Sequence, residues 1–379
     1  MIFTCDKFQL QDALGLVSRV VSSRTTMSIL ECVLVTATAD GISLTASDKE
    51  LTIQTKHITA EVDSVGSVAL DAKLFSDIVR KLPGDFVTIE IDETNTALCK
   101  SGRSSLKIVG LPGEEFPLPD VNTIKSENGV SYTLKSHILK DMIKQTIFAV
   151  SLDQSRPVLT GELMAIKDNA LRIVAVDMFR ISYAAQLLEG DFADADAVVP
   201  GKALNELSRI LPGAGQGEDE EAVVNLFFTD KNVVFENDTF TMVSSLLEGD
   251  FVRYDQIFNE DFATLVTVNR AALLSAFERA ILVAVENRMP PTKLEINNND
   301  LLISVQNERG QVNDGLPCDT DGNELTIHFN PRYFIEALKA IDTENVMLRF
   351  NSQLSPCIIK GVDSNVDCKY LIVPLRPPA

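Results

Sequence analysis

The sequence predicts an α+β protein made of three similar domains in series, each with two helices packed on antiparallel strands. Three observations predict it. The chain has 379 residues, more than one hydrophobic core usually organises. VRKLPG at 79–84 returns as SRILPG at 208–213, and a third version of the surrounding helix follows further along. Alternating, hairpin-like stretches recur in the same register between the helices.

The first helix of each unit is read at 7–21, 137–150 and 270–284, where apolar positions share offsets of 0, 4, 7 and 11. They are Leu10, Leu14, Val17 and Val21, then Leu139, Ile143, Thr146 and Val150, then Leu273, Phe277, Ala280 and Ala284. Next come VLVTATADGISLTASD, LMAIKDNALRIVAVD and LEINNNDLLISVQN, hairpins with turns expected at Asp40-Gly41, Asp168-Asn169 and Asn299-Asp300. Their second strands end at Asp48, Asp177 and Asn307. The second helices, 73–82, 202–211 and 332–341, carry Phe75, Ile78 and Leu82, then Leu204, Leu207 and Leu211, then Phe334, Ala337 and Ile341. Pro-Gly stops the first two. FVTIEID, VVNLFFT and NVMLRFN follow, each leading into a further hairpin-like pair. The polar stretches LPDVNTIKSENG (118–129) and RYDQIFNEDF (253–262) place domain boundaries to give 1–125, 126–255 and 256–379. A period near 130 residues exceeds the roughly 20–50 of solenoid repeats and suits whole domains.

Composition narrows the function. Hydrophobic residues make up 45% and charged residues 23%, with no apolar run near the roughly 18 residues of a membrane span, so a soluble protein without a membrane partner is expected. MIFTCDKFQL lacks the features of a signal peptide, which points to the cytoplasm. The six cysteines form no C-x-x-C pair and only His57, His137 and His328 accompany them, so neither metal nor cofactor is expected. No G-x-S-x-G, H-E-x-x-H or P-loop occurs. GAGQG (213–217) follows a helix and runs into acids that would repel phosphate, and Asp48 and Asp177 recur as turn formers rather than as paired catalytic acids. An enzyme is not expected.

Charge separates the remaining readings. The chain carries a net charge of −20, yet the six helices hold 13 basic and six acidic residues, while the rest holds 21 basic and 48 acidic. Every helix so bounded is net positive, although Glu is nearly as good a helix former as Lys. Six such helices on one surface would make a positive track. With a Debye length of roughly 8 Å, acids behind the track would be screened from a bound polyanion. Duplex DNA held through its phosphates, without sequence preference, fits such a track. The absence of Trp makes stacking on single strands less natural. A repeat-built protein-binding scaffold is the alternative, and predicts no shared positive face.

The three units, SGRSSLKIVGLPGEEFPLPD (101–120), VDMFRIS (176–182), VVPGKALNELSRIL (198–211) and the terminal YLIVPLRP (370–377) together resemble the bacterial sliding-clamp family, the beta subunits of DNA polymerase III. The resemblance covers essentially the whole chain. It implies a processivity factor without catalytic activity: a head-to-tail homodimer closed into a ring, helices lining the hole, duplex DNA threading it. It also implies a groove where short peptides of the replicative polymerase, the clamp loader and repair polymerases dock. Matched by position, that groove is Leu159, Val176, Phe179, Arg180, Ile181, Ile257, Pro356, Leu371, Val373, Pro374, Leu375 and Arg376, with the arginines orienting polar groups at its rim. DNA-facing positions are Arg24, Arg80, Arg156 and Lys202, and ring closure falls to Arg103, Leu106 and Ile108 against Leu282 and Val283. The chain departs from the family at Met178, at Phe251-Val252-Arg253-Tyr254, at Gln256 and in the added Pro377-Pro378-Ala379.

Overall fold

Asx residues start five of the helices. Asp6 closes the strand Ile2–Asp6 and caps α1 (Lys7–Val17), its carboxylate accepting from Gln9 N at 2.9 Å. Asp71 does the same for α2 (Ala72–Lys81), with Leu74 N at 2.7 Å. The short α3 (Val121–Ser126) begins at Asp120. α4 (Ser136–Thr146) and α5 (Gly201–Ile210) follow, then α6 (Arg270–Ala280) and α7 (Pro331–Ala340), capped by Asn269 and Asn330. Each such cap satisfies a backbone donor that the first turn leaves open. The computed structural model describes residues 1–22, 25–188, 190, 192–213, 222–258, 261–283, 291–364 and 366–376. Arg24, Ala284, most of GAGQG and Pro377-Pro378-Ala379 lie outside them.

The predicted apolar faces are buried: Leu10, Leu14 and Val17 on α1, Phe75 and Ile78 on α2, Phe334 and Ala337 on α7. Three helices end four residues earlier than their periodicity predicts, the other three predicted ones only one. α4 stops at Thr146, whose hydroxyl donates to Met142 O at 2.8 Å, a back-bond that competes with continuation, and a 3-10 turn Ile147–Ala149 takes over. α6 passes into a 3-10 turn, Ile281–Val283. α1 ends at Val17, which leaves Arg19 outside. Within the observed bounds the six helices hold 12 basic and six acidic residues, and α1 is neutral rather than positive. α3 occupies a stretch that its polarity marks as linker. The 253–262 stretch holds the 3-10 turn Tyr254–Gln256.

The second hairpin turns at Asp168-Asn169 as expected, whereas in the first Thr38 pairs with Gly41, so the turn is Ala39-Asp40, one residue earlier than predicted. Gly41 adopts φ +130°, where a Cβ would meet the Ile58 carbonyl, and Asp168 and Asn169 are both left-handed at φ 51° and 54°. In the third, Asn297 pairs with Asp300, so the turn is Asn298-Asn299, again one residue earlier than predicted. Asp48 and Asp177 are turn formers. Each accepts two backbone amides, from Glu50 and Leu51 and from Phe179 and Arg180, at 2.7–3.0 Å.

Contacts divide the chain into two compact units, Met1–His137 with Arg209–Leu246, and Ile138–Ser208 with Leu247–Ala379. Compactness and repetition therefore cut the chain differently, because the middle repeat contributes to both. In the first unit a five-stranded sheet ends at Ser104–Val109, and a nine-stranded sheet joins two repeats where Leu51–Thr55 pairs antiparallel with Phe240–Ser245. In the second unit a four-stranded sheet ends at Gly310–Pro317, and another nine-stranded sheet joins two repeats where Arg180–Leu187 pairs with Asp367–Ile372. The seams between repeats are thus continuous β-sheet.

α3 lies on the first seam. Its Ile124 is buried against Val234 and Val243, with Val121 and Phe227 alongside. Glu236 binds Lys56 at the end of a seam strand and Lys125 of α3. Burial pushes the Glu236 carboxyl up, but these lysines outweigh it and hold it down to about 2.

Candidate peptide groove and nucleic-acid surface

The second seam gathers the sequence-predicted groove. Alternation along Arg180–Leu187 sends Ile181 to one face of the sheet, and its strand partner there is Leu371. Ile181 and Leu371 join Leu159, Val176, Leu163, Val174, Val198 and Tyr254 in one buried cluster. Leu247, Phe251, Val252 and Phe258 pack against it partly buried. Over this floor Phe179, Ile257 and Val373 remain 46%, 40% and 37% exposed, and Met178 beside them 65%. Apolar side chains kept in water beside a buried apolar floor make a surface suited to a hydrophobic ligand.

The carboxy-terminal segment is fixed as it crosses. Val373 N donates to Phe179 O at 2.8 Å, and Leu375 N donates to His328 O at 2.7 Å. Pro356, Pro374 and Leu375 are half-buried and Arg376 is exposed. Leu371 is buried, whereas Val373, two residues on, is the partly open edge of the segment. Tyr183, which rests 5.9 Å from Tyr254 and 5.8 Å from Phe258, belongs beside the floor and was not legible in the motif. Burial and the neighbouring Asp255 push the Tyr254 phenol up to about 12, so it stays neutral.

Arg180 differs from expectation. It is not a rim residue: its side chain is 11% exposed and its donors are taken internally. Nε donates to Asp177 Oδ2 at 2.9 Å, one terminal nitrogen binds Glu336 of α7, and the other donates to Phe148 O at 2.6 Å. The physical reason is the same alternation that puts Ile181 on the floor, since adjacent strand residues point to opposite faces.

The charged positions are mixed. Arg80 sits in the last turn of α2 with its side chain 69% exposed, but it is paired with Asp77. Arg156 and Lys202 are exposed, on the loop before Pro157–Thr160 and in the first turn of α5. Lys140 of α4 is less basic than usual because of burial and then the neighbouring Lys144, a like-charge pair one helical turn apart. Arg279 and Lys339 are bound by Asp314 and Glu278, so part of the helical charge is answered locally.

At the expected closure edge, Ser104–Val109 is the outermost strand of its sheet. Leu106 is 42% exposed and Arg103 lies in the preceding exposed turn, but Ile108 is 3% exposed and faces its own core. Val109, at 78%, is a second and more exposed apolar side chain on this strand, which the motif did not single out. Leu282 is 77% exposed, whereas Val283 is half-buried with its carbonyl accepting from Asn307. Among the described residues no cluster of potential metal ligands occurs, and no helix is long and apolar enough to cross a membrane.

Comparison with known proteins agrees over the full length. Three family models match in order: the N-terminal domain of the DNA polymerase III beta subunit over 1–120, its central domain over 133–252 and its C-terminal domain over 255–376. The Beta sliding clamp of Staphylococcus epidermidis is 33% identical over 97% of this chain and 96% of its own length. That of Bacillus subtilis is 31% identical over 99% and 100%. The crystal structure of the B. subtilis DNA polymerase sliding clamp superposes with a TM-score of 0.92 at 31% identity, covering 100% of both chains. The beta subunit from DNA polymerase of Streptococcus pyogenes gives 0.92 at 30%, covering 99% of this chain and 100% of that one. Three tandem domains, antiparallel sheets and full-length likeness together place this chain in the DNA polymerase III beta subunit family, the bacterial sliding clamps.

Proposed function

We propose that two copies of this chain close head to tail into a ring around duplex DNA, acting in the cytoplasm as a non-catalytic processivity factor that tethers polymerase and other partners. The single observation that carries this reading is the full-length match of all three domains to sliding clamps. The domains are taken as 1–125, 126–255 and 256–379. A ring retains DNA by topology, so the modest excess of positive charge on the helices suffices and leaves the duplex free to slide. On this reading Arg24, Arg80, Arg156 and Lys202 face the phosphates.

Ring closure uses open sheet edges, which are templates for pairing with another chain. Ser104–Val109 supplies one edge, with Arg103 and Leu106, and Ile108 through its backbone. Gly310–Pro317 supplies the complementary edge beside Leu282 and Val283. Polymerase, loader and repair polymerases dock short peptides over the second seam. There Leu159, Val176, Ile181 and Leu371 form the floor, and Phe179, Ile257, Pro356, Val373, Pro374, Leu375 and Arg376 the walls. Arg180 supports them from behind.

Sedimentation at micromolar concentration tests closure: a species near twice 41.5 kDa is expected, and a monomer contradicts it. Truncation after Ile372 tests the groove, because it leaves the strand Asp367–Ile372 intact. Peptide binding is expected to vanish while the dimer mass persists, and unchanged affinity removes the tail from the groove.

A further inference from the structure

We propose that Glu336 on α7 is a positioning residue for the peptide groove, acting through Arg180; this rests on the groove reading above. Arg180 cannot serve the ligand from the floor, because strand alternation aims it away from the face that Ile181 lines. Its guanidinium is instead held in three directions, by Asp177, Glu336 and the Phe148 carbonyl. It also lies over two rings, 5.4 Å from the centroid of Phe148 and 4.7 Å from that of Tyr333. The planar fork meets these three acceptors from three separate nitrogens while stacking on the rings, a geometry that the single nitrogen of an ammonium does not reproduce.

The connection to the groove runs through α7. Glu336 lies three residues after Tyr333, so the two share one face of that helix. Tyr333 stacks on Phe179 at 6.1 Å and 18°, and the Phe179 carbonyl holds Val373 N at 2.8 Å. Glu336, Arg180 and Tyr333 therefore back the residue that anchors both the wall and the crossing tail. Glu336 itself is 42% exposed, so its removal opens no cavity in the core. Loss of the latch should be felt at the groove more than in global stability.

The test compares Glu336→Ala, Arg180→Lys and the double variant in the full chain. The probe is a fluorescein-labelled hexapeptide carrying one leucine and one phenylalanine anchor, and binding is read by anisotropy. Glu336→Ala is expected to weaken binding about fivefold with little change in Tm, and the double variant to be no worse than Arg180→Lys alone, as for residues acting in one chain. Hydrogen exchange at the Val373 amide should quicken in both single variants. If Arg180→Lys loses affinity while Glu336→Ala keeps it, Arg180 acts without α7 and the proposal fails. An unchanged Val373 exchange rate in Glu336→Ala also overturns it. Should the wild-type protein not bind the probe, the groove reading falls, and the exchange measurement still decides the latch.

Discussion

At the seam of the first unit Leu51 is 2% exposed, pairs with Ser244 and lies in a sheet that α3 covers. At the matching place in the second unit, 129 residues on, the chain carries Arg180, and the linker turn Tyr254–Gln256 buries Tyr254 but leaves Ile257 40% exposed. The strands two places further into each sheet differ in the same sense. Val33 is fully buried in the first sheet, whereas its counterpart Glu162 is equally buried but carries a carboxyl. Neither of its oxygens reaches a partner at hydrogen-bond geometry. One seam is closed by its own chain, and the polar side chains buried in its strands, Thr52, Thr55, Thr241 and Ser244, are neutral hydroxyls. The other keeps apolar side chains in water on one face and holds ionisable groups, the nearly buried Arg180 and the buried Glu162, on the opposite face, a costly arrangement that function explains better than stability does.

The contrast can be broken most severely at Arg180. Arg180→Leu copies the first seam, but it takes the guanidinium from Asp177, which is only 16% exposed, and a loss of about 3 kcal/mol is expected in urea unfolding. Unchanged stability would show that the ion pairs contribute nothing. Next in size is Ile124→Ala, which uncovers the first seam at a cost of about 2–3 kcal/mol. Peptide affinity at the second seam should not change; a fall would mean that the two seams are not independent.

Glu162 gives a smaller effect with a defined pH dependence. Burial outweighs the nearby Thr146 hydroxyl and drives the carboxyl up to about 8, while the unfolded chain titrates at about 4.3. A raised acid is unpenalised below the unfolded value, and stability falls as pH rises from about 4 towards 8. Glu162→Gln is neutral throughout, so it should remove that slope and gain on the order of 1–2 kcal/mol at pH 8 while changing little at pH 4. A slope that survives the substitution would assign it elsewhere. The smallest effect belongs to Glu236→Gln, about 0.5–1 kcal/mol, because the Lys56 and Lys125 pairs are partly exposed. Glu236 titrates below its unfolded value, so its contribution is present above about pH 4.3 and disappears as pH falls towards about 2. Acid titration of the wild-type and variant proteins checks the window.

Repetition made the architecture legible. Leu10, Leu14 and Val17, or Phe75 and Ile78, announce their helices by spacing, and Asp48 and Asp177 announce the same turn twice. What spacing could not show was pairing between strands far apart in sequence, such as Thr55 with Phe240 or Ile181 with Leu371. The division into two compact units follows from those pairings. α3 was hidden because its six residues, VNTIKS, are too few to display a period, although Asp120 before Thr123 is a capping signal. Position-matching named Leu159, Val176, Ile181 and Leu371, which the structure buries in one cluster, but put Arg180 on the rim. The direction of that side chain depends on strand register. Tyr333, Glu336 and Phe148 reach it from other elements, and only the Asp177-x-x-Arg180 spacing hinted at any partner.

The central claim, that the ring holds DNA by enclosing it, is tested most directly on a nicked circular plasmid. After loading by a bacterial clamp loader, retention is measured before and after a restriction enzyme opens the circle. The protein is expected to stay on the closed circle and to run off the linear product within the time of the measurement. Equal retention on both forms would show that it is held by contact rather than by topology.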